Sequence, residues 1–218
     1  MAQAGGEKTA LWRFLAGIVI PLLLLLGRYR FRNSERIPKS GPVIIAPNHY
    51  TNIDPLVSAY AVWRTGRVPR FLAKASLFTV PILGSILRGT GQIPVQRAAP
   101  TAGADSLSAA GKLVEDGLAI IVYPEGTLTR DPDLWPMRGK SGAVRLALEY
   151  DVPIIPFAHW GAQQILPRYS KRLSLFPRKN VTGVFGPPVD LSAWKGKTLT
   201  SKTLAEATNA VMQAITAL

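Results

Sequence analysis

The chain of 218 residues contains no cysteine and only two histidines. The lack of cysteine excludes a disulfide scaffold, a thiolate nucleophile and the usual zinc–cysteine sites. Two histidines far apart in the chain disfavour a metal site, so we expect neither a metal nor another cofactor. No serine stands in a Gly-x-Ser-x-Gly context, which disfavours a nucleophilic serine. The reaction chemistry is therefore to be sought among other polar residues.

Acidic residues are also scarce, since 13 Asp and Glu stand against 26 Lys and Arg and leave a net charge of +13. Such an excess implies an anionic partner: nucleic acid, an anionic membrane surface or a phosphorylated substrate. The sequence has neither zinc-finger spacing nor an RNP-like aromatic motif, so we do not expect nucleic acid. The apolar fraction of 47% predicts a folded domain with a substantial core.

Charged residues are almost missing between Leu11 and Gly27, where Arg13 alone interrupts an apolar run. A helix here would be about 25 Å long, against about 30 Å for the hydrocarbon core of a bilayer. We predict a mobile N-terminus over residues 1–10 and a membrane-anchoring helix with a basic flank over residues 11–32. A secretory signal is disfavoured because no small-residue cleavage site follows, and a buried core helix because the run has no polar face.

Monotopic insertion into one leaflet fits this short helix better than a single span. In a single span, the arginines that follow the helix would place the rest of the chain in the cytoplasm. We therefore expect a protein of the cell membrane, peripheral, monotopic or single-pass, with its active site on the cytoplasmic side.

Strand-like and helix-like segments alternate along the remainder of the chain, which we predict to be one domain over residues 33–218. Strands are predicted at Val43–Ala46, Arg70–Ala73, Gln92–Val95, Ala119–Tyr123, Pro153–Ala158, Leu173–Phe176 and Val181–Phe185. Helices are predicted at Pro55–Trp63, Pro81–Leu87, Ala104–Glu115, Gly142–Tyr150 and Lys202–Leu218. The alternation predicts an α/β domain with a mostly parallel sheet covered by helices.

The segment Asn48-His49-Tyr50-Thr51-Asn52-Ile53-Asp54-Pro55 joins one histidine to a carboxylate five residues later. Residues five apart on a helix point about 140° away from each other, so His49 and Asp54 can meet only across a turn. Asp54 and Pro55 predict a helix start, with Asp54 as N-cap and Pro55 at the first helical position. His49 would be a general base that Asp54 orients, or the pair would form only a local hydrogen bond.

Further polar residues follow other strand-like runs, at the edge of the sheet where ligands bind in α/β folds. They are Lys74, Arg97, the turn Glu125-Gly126-Thr127, and His159. Arg97 and Lys74 are suited to binding a phosphate, or they are solvated cations. Gly126 would let backbone N–H groups approach an anion, while Glu125 would anchor Arg97 or a substrate hydroxyl. An ordinary turn with a salt bridge is the structural alternative, and His159 is interpreted as a pocket or core histidine.

Four motifs in this order resemble those of the glycerolipid acyltransferases, the lysophosphatidic acid acyltransferase (PlsC) family. Asn48-His49 with Asp54 resembles the first motif, and Gly91-Gln92-Ile93-Pro94-Val95-Gln96-Arg97 is similar to the second, Gly-x-Ile-x-x-x-Arg. Tyr123-Pro124-Glu125-Gly126-Thr127 resembles the third, Phe-Pro-Glu-Gly-Thr, and Val152-Pro153-Ile154-Ile155-Pro156 resembles the fourth. The resemblance covers about residues 40–190.

The resemblance implies that a fatty acyl group moves from acyl-CoA, or acyl carrier protein, to the hydroxyl of lysophosphatidic acid. It makes His49 the general base, Asp54 its orienting partner and Arg97 the ligand of the acceptor phosphate, with Glu125 and Gly126 positioning the acceptor. The expected partners are therefore a lysophospholipid, acyl-CoA and an anionic membrane surface.

The third motif departs from the family pattern, because members commonly carry Arg where Leu128 stands here. Arg130 or Lys140 would then supply the missing charge, or the acceptor would carry another head group, as in a different lysophospholipid or a lyso-aminolipid. A remoter alternative is a basic lipid-binding module without enzymatic activity.

Overall fold

The computed structural model describes residues 7–95 and 102–218, together with the side chains in these ranges except those of residues 102–108. Seven strands form one sheet within this part of the chain, in the spatial order β1-β7-β6-β2-β5-β3-β4. They are β1 (Gly27–Arg32), β2 (Val43–Pro47), β3 (Arg70–Lys74), β4 (Ile93–Val95), β5 (Ala119–Ile121), β6 (Ile154–Trp160) and β7 (Lys179–Phe185). Only β6 and β7 pair in antiparallel fashion. The prediction of a mostly parallel sheet is therefore confirmed.

Helices cover both faces of the sheet because its central strands are apolar on both sides. They are α1 (Ala10–Leu26), α2 (Asp54–Arg64), α3 (Leu83–Gly89), α4 (Ala102–Glu115), α5 (Gly142–Tyr150) and α6 (Ser201–Thr216). Alternation along β2 separates the two cores: Ile44 packs with α4, α5 and α6, whereas Ile45 packs with α2. All five residues of β2 are buried, so the loop that follows it starts from the centre of the domain.

The edge strand β1 was not predicted from the sequence. Residues 28–32 were expected to be the basic flank of a membrane helix, yet Gly27–Arg32 pairs in parallel with β7 over six residues. The three arginines of this strand lie on its exposed face, while Tyr29 is buried and Phe31 is half-buried. The sheet therefore begins at Gly27, before residue 33. The strand predicted at Leu173–Phe176 was wrong, because this segment is irregular and largely exposed.

Helix α1 has two different faces, although nearly all of its residues are apolar. Leu23 is buried, and the side chains of Trp12 and Leu15 line a cavity of the domain. The opposite face is exposed and aliphatic or aromatic: Phe14, Ile18, Leu22 and Leu25 are each between 47% and 65% exposed. Within the described residues, no helix is both long enough and apolar enough to cross a membrane.

Candidate active site

His49 and Asp54 meet in the loop between β2 and α2, at the carboxyl end of the most central buried strand. The Nδ1 atom of His49 lies 3.0 Å from Oδ2 of Asp54. The turn expected between the two residues is present, and it brings the side chains to hydrogen-bond distance. His49 keeps 16% of its side chain exposed, whereas the side chain of Asp54 is fully buried.

The Asp54 carboxylate is held by the loop that precedes it. Besides His49, the N–H groups of Tyr50 and Thr51 donate to Oδ2 at 2.6 and 2.8 Å. Helix α2 begins at Asp54 with Ile53 as N-cap, and no side chain caps it. The expectation that Asp54 caps the helix was therefore wrong: its side chain points back to the loop and stabilises the turn that carries His49. Three donors thus converge on one oxygen of this buried carboxylate.

The backbone of His49 is fixed on both sides by the segment after β5. Its N–H donates to Oε1 of Glu125 at 2.9 Å, and its carbonyl accepts from the N–H of Thr129 at 2.7 Å. Thr129 is itself buried, and its hydroxyl donates to the carbonyl of Trp135. The loops after two neighbouring strands are thus joined at the residue that carries the imidazole.

Glu125 is 3% exposed, and both of its carboxylate oxygens accept backbone hydrogen bonds. Oε1 accepts from His49, and Oε2 accepts from the N–H of Met137 at 2.9 Å. Burial raises the pKa of Glu125, and the two backbone donors oppose that rise. In this geometry Glu125 positions His49, whereas contact of Glu125 with a substrate stays a prediction.

Tyr123 fixes the orientation of the His49 ring. The two ring centroids lie 4.2 Å apart with the planes tilted by 32°. The Tyr123 hydroxyl donates to Oγ of Ser58 at 3.0 Å, and Ser58 lies one helical turn after Asp54 on α2. The imidazole is therefore held at one nitrogen by Asp54 and on one face by an aromatic ring, which leaves Nε2 as the atom available to a substrate proton.

Asn48 and Tyr50 connect this loop to β6. The Asn48 side chain exchanges two hydrogen bonds with the backbone of His159, donating to its carbonyl at 3.1 Å and accepting from its N–H at 3.0 Å. The Tyr50 hydroxyl lies 2.9 Å from Nδ1 of His159. His159, which was expected after the strand, is part of β6 and is 3% exposed, in agreement with its interpretation as a buried histidine.

An apolar cavity of about 850 Å³ opens beside His49. Its walls come mainly from α1, α2, β3 and α3, with Trp12, Ala59, Tyr60, Phe71 and Leu87 among the lining residues. Polar residues of the site lie at its border, since His49, Lys74, Thr127, Arg130 and Tyr169 also line it. The arrangement places a basic nitrogen beside a space that is suited to a long apolar group.

Three of the remaining predicted residues line the same cavity. Lys74 and Arg130 are exposed at its border, and Thr127 lies there as well. Gly126 has a φ of 69°, but its N–H donates to the carbonyl of Tyr123, so this amide is engaged in a turn rather than available to an anion. The side chain of Lys140 lies next to Gly126. Arg97 lies outside the described residues.

Leu128 also lines the cavity, so the position at which the resemblance leads us to expect an arginine is apolar here and faces the apolar space. Among the described residues, no group of three or more acidic or histidine side chains is arranged to hold a metal ion.

Sequence reasoning missed Thr129, Ser58 and the joint role of Asn48 and Tyr50. Ser58 had a signal, because it stands four residues after Asp54 and so shares its helix face. The contacts of Thr129 with His49, and of Tyr50 with His159, join residues 80 and 109 positions apart in the numbering. Nothing in a single sequence indicates such pairs.

The chain is similar to a known protein family. The model of a family described as Acyltransferase matches residues 28–160, which is more than half of the chain. The chain belongs to this acyltransferase family. The match begins at β1 and ends with β6, so it contains His49, Asp54 and Glu125 and the loops that carry them.

Three proteins named 1-acyl-sn-glycerol-3-phosphate acyltransferase are among the similar sequences. The protein of Borreliella burgdorferi is 35% identical over 150 residues, which cover 68% of this chain and 53% of that protein. The chloroplastic protein of Brassica napus is 30% identical, over 63% of this chain and 38% of that protein. The Bacillus subtilis protein is 27% identical, over 82% of both. The chain thus spans about half or less of the length of the first two relatives.

The crystal structure of the 1-acyl-sn-glycerophosphate acyltransferase PlsC from Thermotoga maritima is also similar. It superposes with a TM-score of 0.70, covering 97% of this chain and 80% of the other, at 23% sequence identity. At this identity the match establishes a shared fold.

Proposed function

We propose that this protein is a membrane-associated acyltransferase that moves a fatty acyl group from acyl-CoA, or acyl carrier protein, to the hydroxyl of lysophosphatidic acid, giving phosphatidic acid. The observation that carries the proposal is the His49–Asp54 hydrogen bond of 3.0 Å at the border of the apolar cavity. The names of the relatives supply the substrate, and membership of the acyltransferase family supplies the reaction type.

The acceptor hydroxyl is activated by His49. Asp54 accepts the Nδ1 proton of the neutral imidazole, so Nε2 carries the lone pair that removes the hydroxyl proton. The acceptor oxygen then attacks the thioester carbonyl, a tetrahedral intermediate forms, and the thiol leaves as the carbon–sulfur bond breaks. The carboxylate stabilises the imidazolium that forms between these steps. The proton on His49 is then available to the departing sulfur.

The cavity receives the acyl chain in this proposal. Its volume of about 850 Å³ lies within the range of about 300–1,000 Å³ that is typical of pockets for small ligands. The bordering cations Lys74 and Arg130 lie where an anionic head group would meet the apolar chain. We propose that both bind the acceptor, and that Arg97 adds a bidentate contact to its phosphate.

Membrane association is proposed from two exposed apolar surfaces, next to which one hydrogen bond joins the two parts of the chain. One is the outer face of α1, defined by Phe14, Ile18, Leu22 and Leu25. The other is the segment 169–176, in which Leu173, Leu175 and Phe176 are 51%, 50% and 71% exposed. Arg178, just after this segment, donates a hydrogen bond of 3.0 Å to the carbonyl of Gly27 at the end of α1.

Exposed cations accompany these two surfaces. Lys171 and Arg172 lie within the second surface, and Arg28 and Arg30 follow the first. Cations beside exposed apolar side chains favour insertion into one leaflet of an anionic membrane. We therefore propose a monotopic protein of the cell membrane with its active site on the cytoplasmic side.

A different acceptor is the second candidate for the same chemistry. Leu128 favours this alternative, because it stands where the family pattern has a cationic arginine next to the third motif. A lysophospholipid with another head group, or a lyso-aminolipid, would then take the place of lysophosphatidic acid.

An acceptor panel tests the proposal. The purified protein in phospholipid vesicles is given several acyl chain lengths, each as acyl-CoA and as acylated acyl carrier protein, with each acceptor, and thiol release and product mass are recorded. We expect thiol release that depends on lysophosphatidic acid, and its loss in His49→Ala, while the exposed-residue control Lys197→Ala remains active. Turnover by a folded His49→Ala variant would refute the base assignment. Thiol release without any acceptor would indicate a hydrolase, and no release with any acceptor would indicate a lipid-binding module.

A further inference from the structure

Two buried polar atoms next to the His49–Asp54 pair face each other without partners. Among the described residues, neither Oδ1 of Asp54 nor Nε2 of His159 has a hydrogen-bond partner, and both side chains are fully buried. The two atoms lie 3.9 Å apart. Unpaired buried polar atoms are rare and costly in folded proteins, so a facing pair calls for a physical explanation.

The tautomer of His159 follows from its other ring nitrogen. Burial raises the pKa of Tyr50 and the nearby Asp54 charge adds to that rise, so the phenol keeps its proton. The Tyr50 hydroxyl, 2.9 Å from Nδ1 of His159, can therefore donate to it. Nε2 then carries the ring proton and directs it at the carboxylate. The opposite tautomer would set two lone pairs, one on Nε2 and one on Oδ1, against each other.

His159 is also set to remain neutral. Burial lowers its pKa, and the charge of Asp54 only partly opposes this effect. A neutral donor on the far side of the carboxylate leaves the negative charge of Asp54 to one partner that can become cationic, which is His49. Among the described side chains, Tyr50 and Asp54 lie within 4 Å of the two ring nitrogens, and the charge of His49 also lowers the pKa of His159.

We propose that His159 is a positioning residue for the acyl transfer, which donates a hydrogen bond from Nε2 to Oδ1 of Asp54 in the reacting state. The 3.9 Å separation shortens to a hydrogen bond when substrate fills the cavity, because catalytic hydrogen bonds are often long in a free enzyme and tighten in the complex. With His49, Tyr50 and Thr51 on Oδ2 and His159 on Oδ1, the carboxylate cannot rotate. The imidazole of His49 is then fixed relative to the acceptor oxygen.

The contacts of His159 with its neighbours give this proposal a structural basis. Asn48 exchanges two hydrogen bonds with the backbone of His159, so the strand that carries His159 is attached to the catalytic loop. The ring of His159 also packs against Tyr50 and Phe157, at centroid distances of 5.0 and 5.6 Å. The side chain is therefore held in place by packing as well as by hydrogen bonds.

Two substitutions separate the role of Nε2 from that of Nδ1. The amide nitrogen of asparagine reaches about as far as Nδ1, and that of glutamine about as far as Nε2, so only His159→Gln restores a donor to Asp54. Because hydrogen bonds to charged groups contribute more than neutral ones, we expect His159→Asn to lower kcat by about 10- to 100-fold. The KM values of donor and acceptor should stay unchanged, and His159→Gln should retain most of kcat.

Nitrogen NMR gives a readout that does not depend on activity. The chain has only two histidines, so the imidazole resonances of the protein in detergent micelles, labelled with ¹⁵N-histidine, are assigned by comparison with His49→Ala. We expect a pyrrole-type Nε2 and a pyridine-type Nδ1 for His159. The opposite tautomer, or a doubly protonated ring, would overturn the proposal.

The inference rests on the proposed function, and the two can fail separately. If no acceptor supports turnover in the wild-type protein, the proposed function fails while NMR still decides the tautomer of His159 that the hydrogen bond requires. If the wild-type protein is active and a folded His159→Asn variant has the same kcat, or if His159→Gln loses as much as His159→Asn, the positioning role is refuted.

Discussion

Replacement of Asp54 by asparagine separates the charge of this residue from its hydrogen bonds. The N–H groups of Tyr50 and Thr51 lie 2.6 and 2.8 Å from Oδ2 of Asp54. Asparagine keeps an oxygen that can accept from both of these N–H groups. It removes the negative charge that stabilises a protonated His49. By analogy with other histidines that lose an orienting carboxylate, we expect kcat to fall by about 10⁴-fold, or about 5 kcal/mol.

The folded state should change far less than the rate. Hydrogen bonds to a charged acceptor contribute about 1.5–3 kcal/mol and neutral ones about 1 kcal/mol, so the variant loses part of each bond at Asp54. Removal of a fully buried charge offsets part of that loss. We expect a net change below about 2 kcal/mol, which is below about 8 °C in Tm.

The assay measures acyl transfer and thermal unfolding on the same preparation. Asp116→Asn makes the same chemical change at an exposed position and serves as the control. A folded Asp54→Asn variant that transfers acyl groups within about tenfold of the wild-type rate would refute the reasoning, because Asp54 would then hold only the loop and not stabilise the imidazolium.

Two further predictions concern the supports of the site and the membrane surface. Glu125→Gln sets the NH₂ group of an amide against one of two backbone N–H donors, so one hydrogen bond is lost. We expect the free energy of unfolding to fall by about 1–3 kcal/mol and Tm by about 2–12 °C. The kcat should also fall, relative to the exposed control Glu149→Gln. Thermal unfolding and turnover check this, and wild-type values for both would contradict the positioning role of Glu125. Replacement of Leu173, Leu175 and Phe176 by serine should weaken sedimentation with anionic vesicles by at least about tenfold, relative to Leu218→Ser, because burial of each large apolar side chain contributes about 1.5–3 kcal/mol. Unchanged sedimentation would show that segment 169–176 does not enter the membrane.

The sequence carried enough information to predict the sheet and the meeting of His49 with Asp54. Buried parallel strands appear as continuous apolar runs, such as Val43–Ala46, and the sharp change to polar residues after them marks the edge where ligands bind. The five-residue spacing of His49 and Asp54 requires a turn, and the turn is there.

Two errors came from giving composition more weight than periodicity. The strand Gly27–Arg32 was missed because its arginines were interpreted by charge alone, although the strict alternation of Arg28-Tyr29-Arg30-Phe31-Arg32 is typical of a strand with one exposed face. Leu173–Phe176 was interpreted by its apolar content as a strand, although three of its four residues are exposed. Contacts such as Glu125 with the His49 amide could not be predicted, because hydrogen bonds between distant loops leave no pattern in one sequence.

His49 lies between buried polar groups and an apolar cavity, and this position explains why transfer to a lipid hydroxyl would prevail over hydrolysis. On one side the residue is held by buried polar groups, which are Asp54, Glu125 and the amide of Thr129. On the other side it borders an apolar cavity whose walls offer few partners to water. In the proposed reaction an acyl chain that fills this cavity displaces the water, and exclusion of water both strengthens the His49–Asp54 interaction and removes the competing nucleophile. A narrower cavity, as in Ala59→Phe, should therefore raise the ratio of thiol release without acceptor to acyl transfer, and an unchanged ratio would show that another part of the site excludes water.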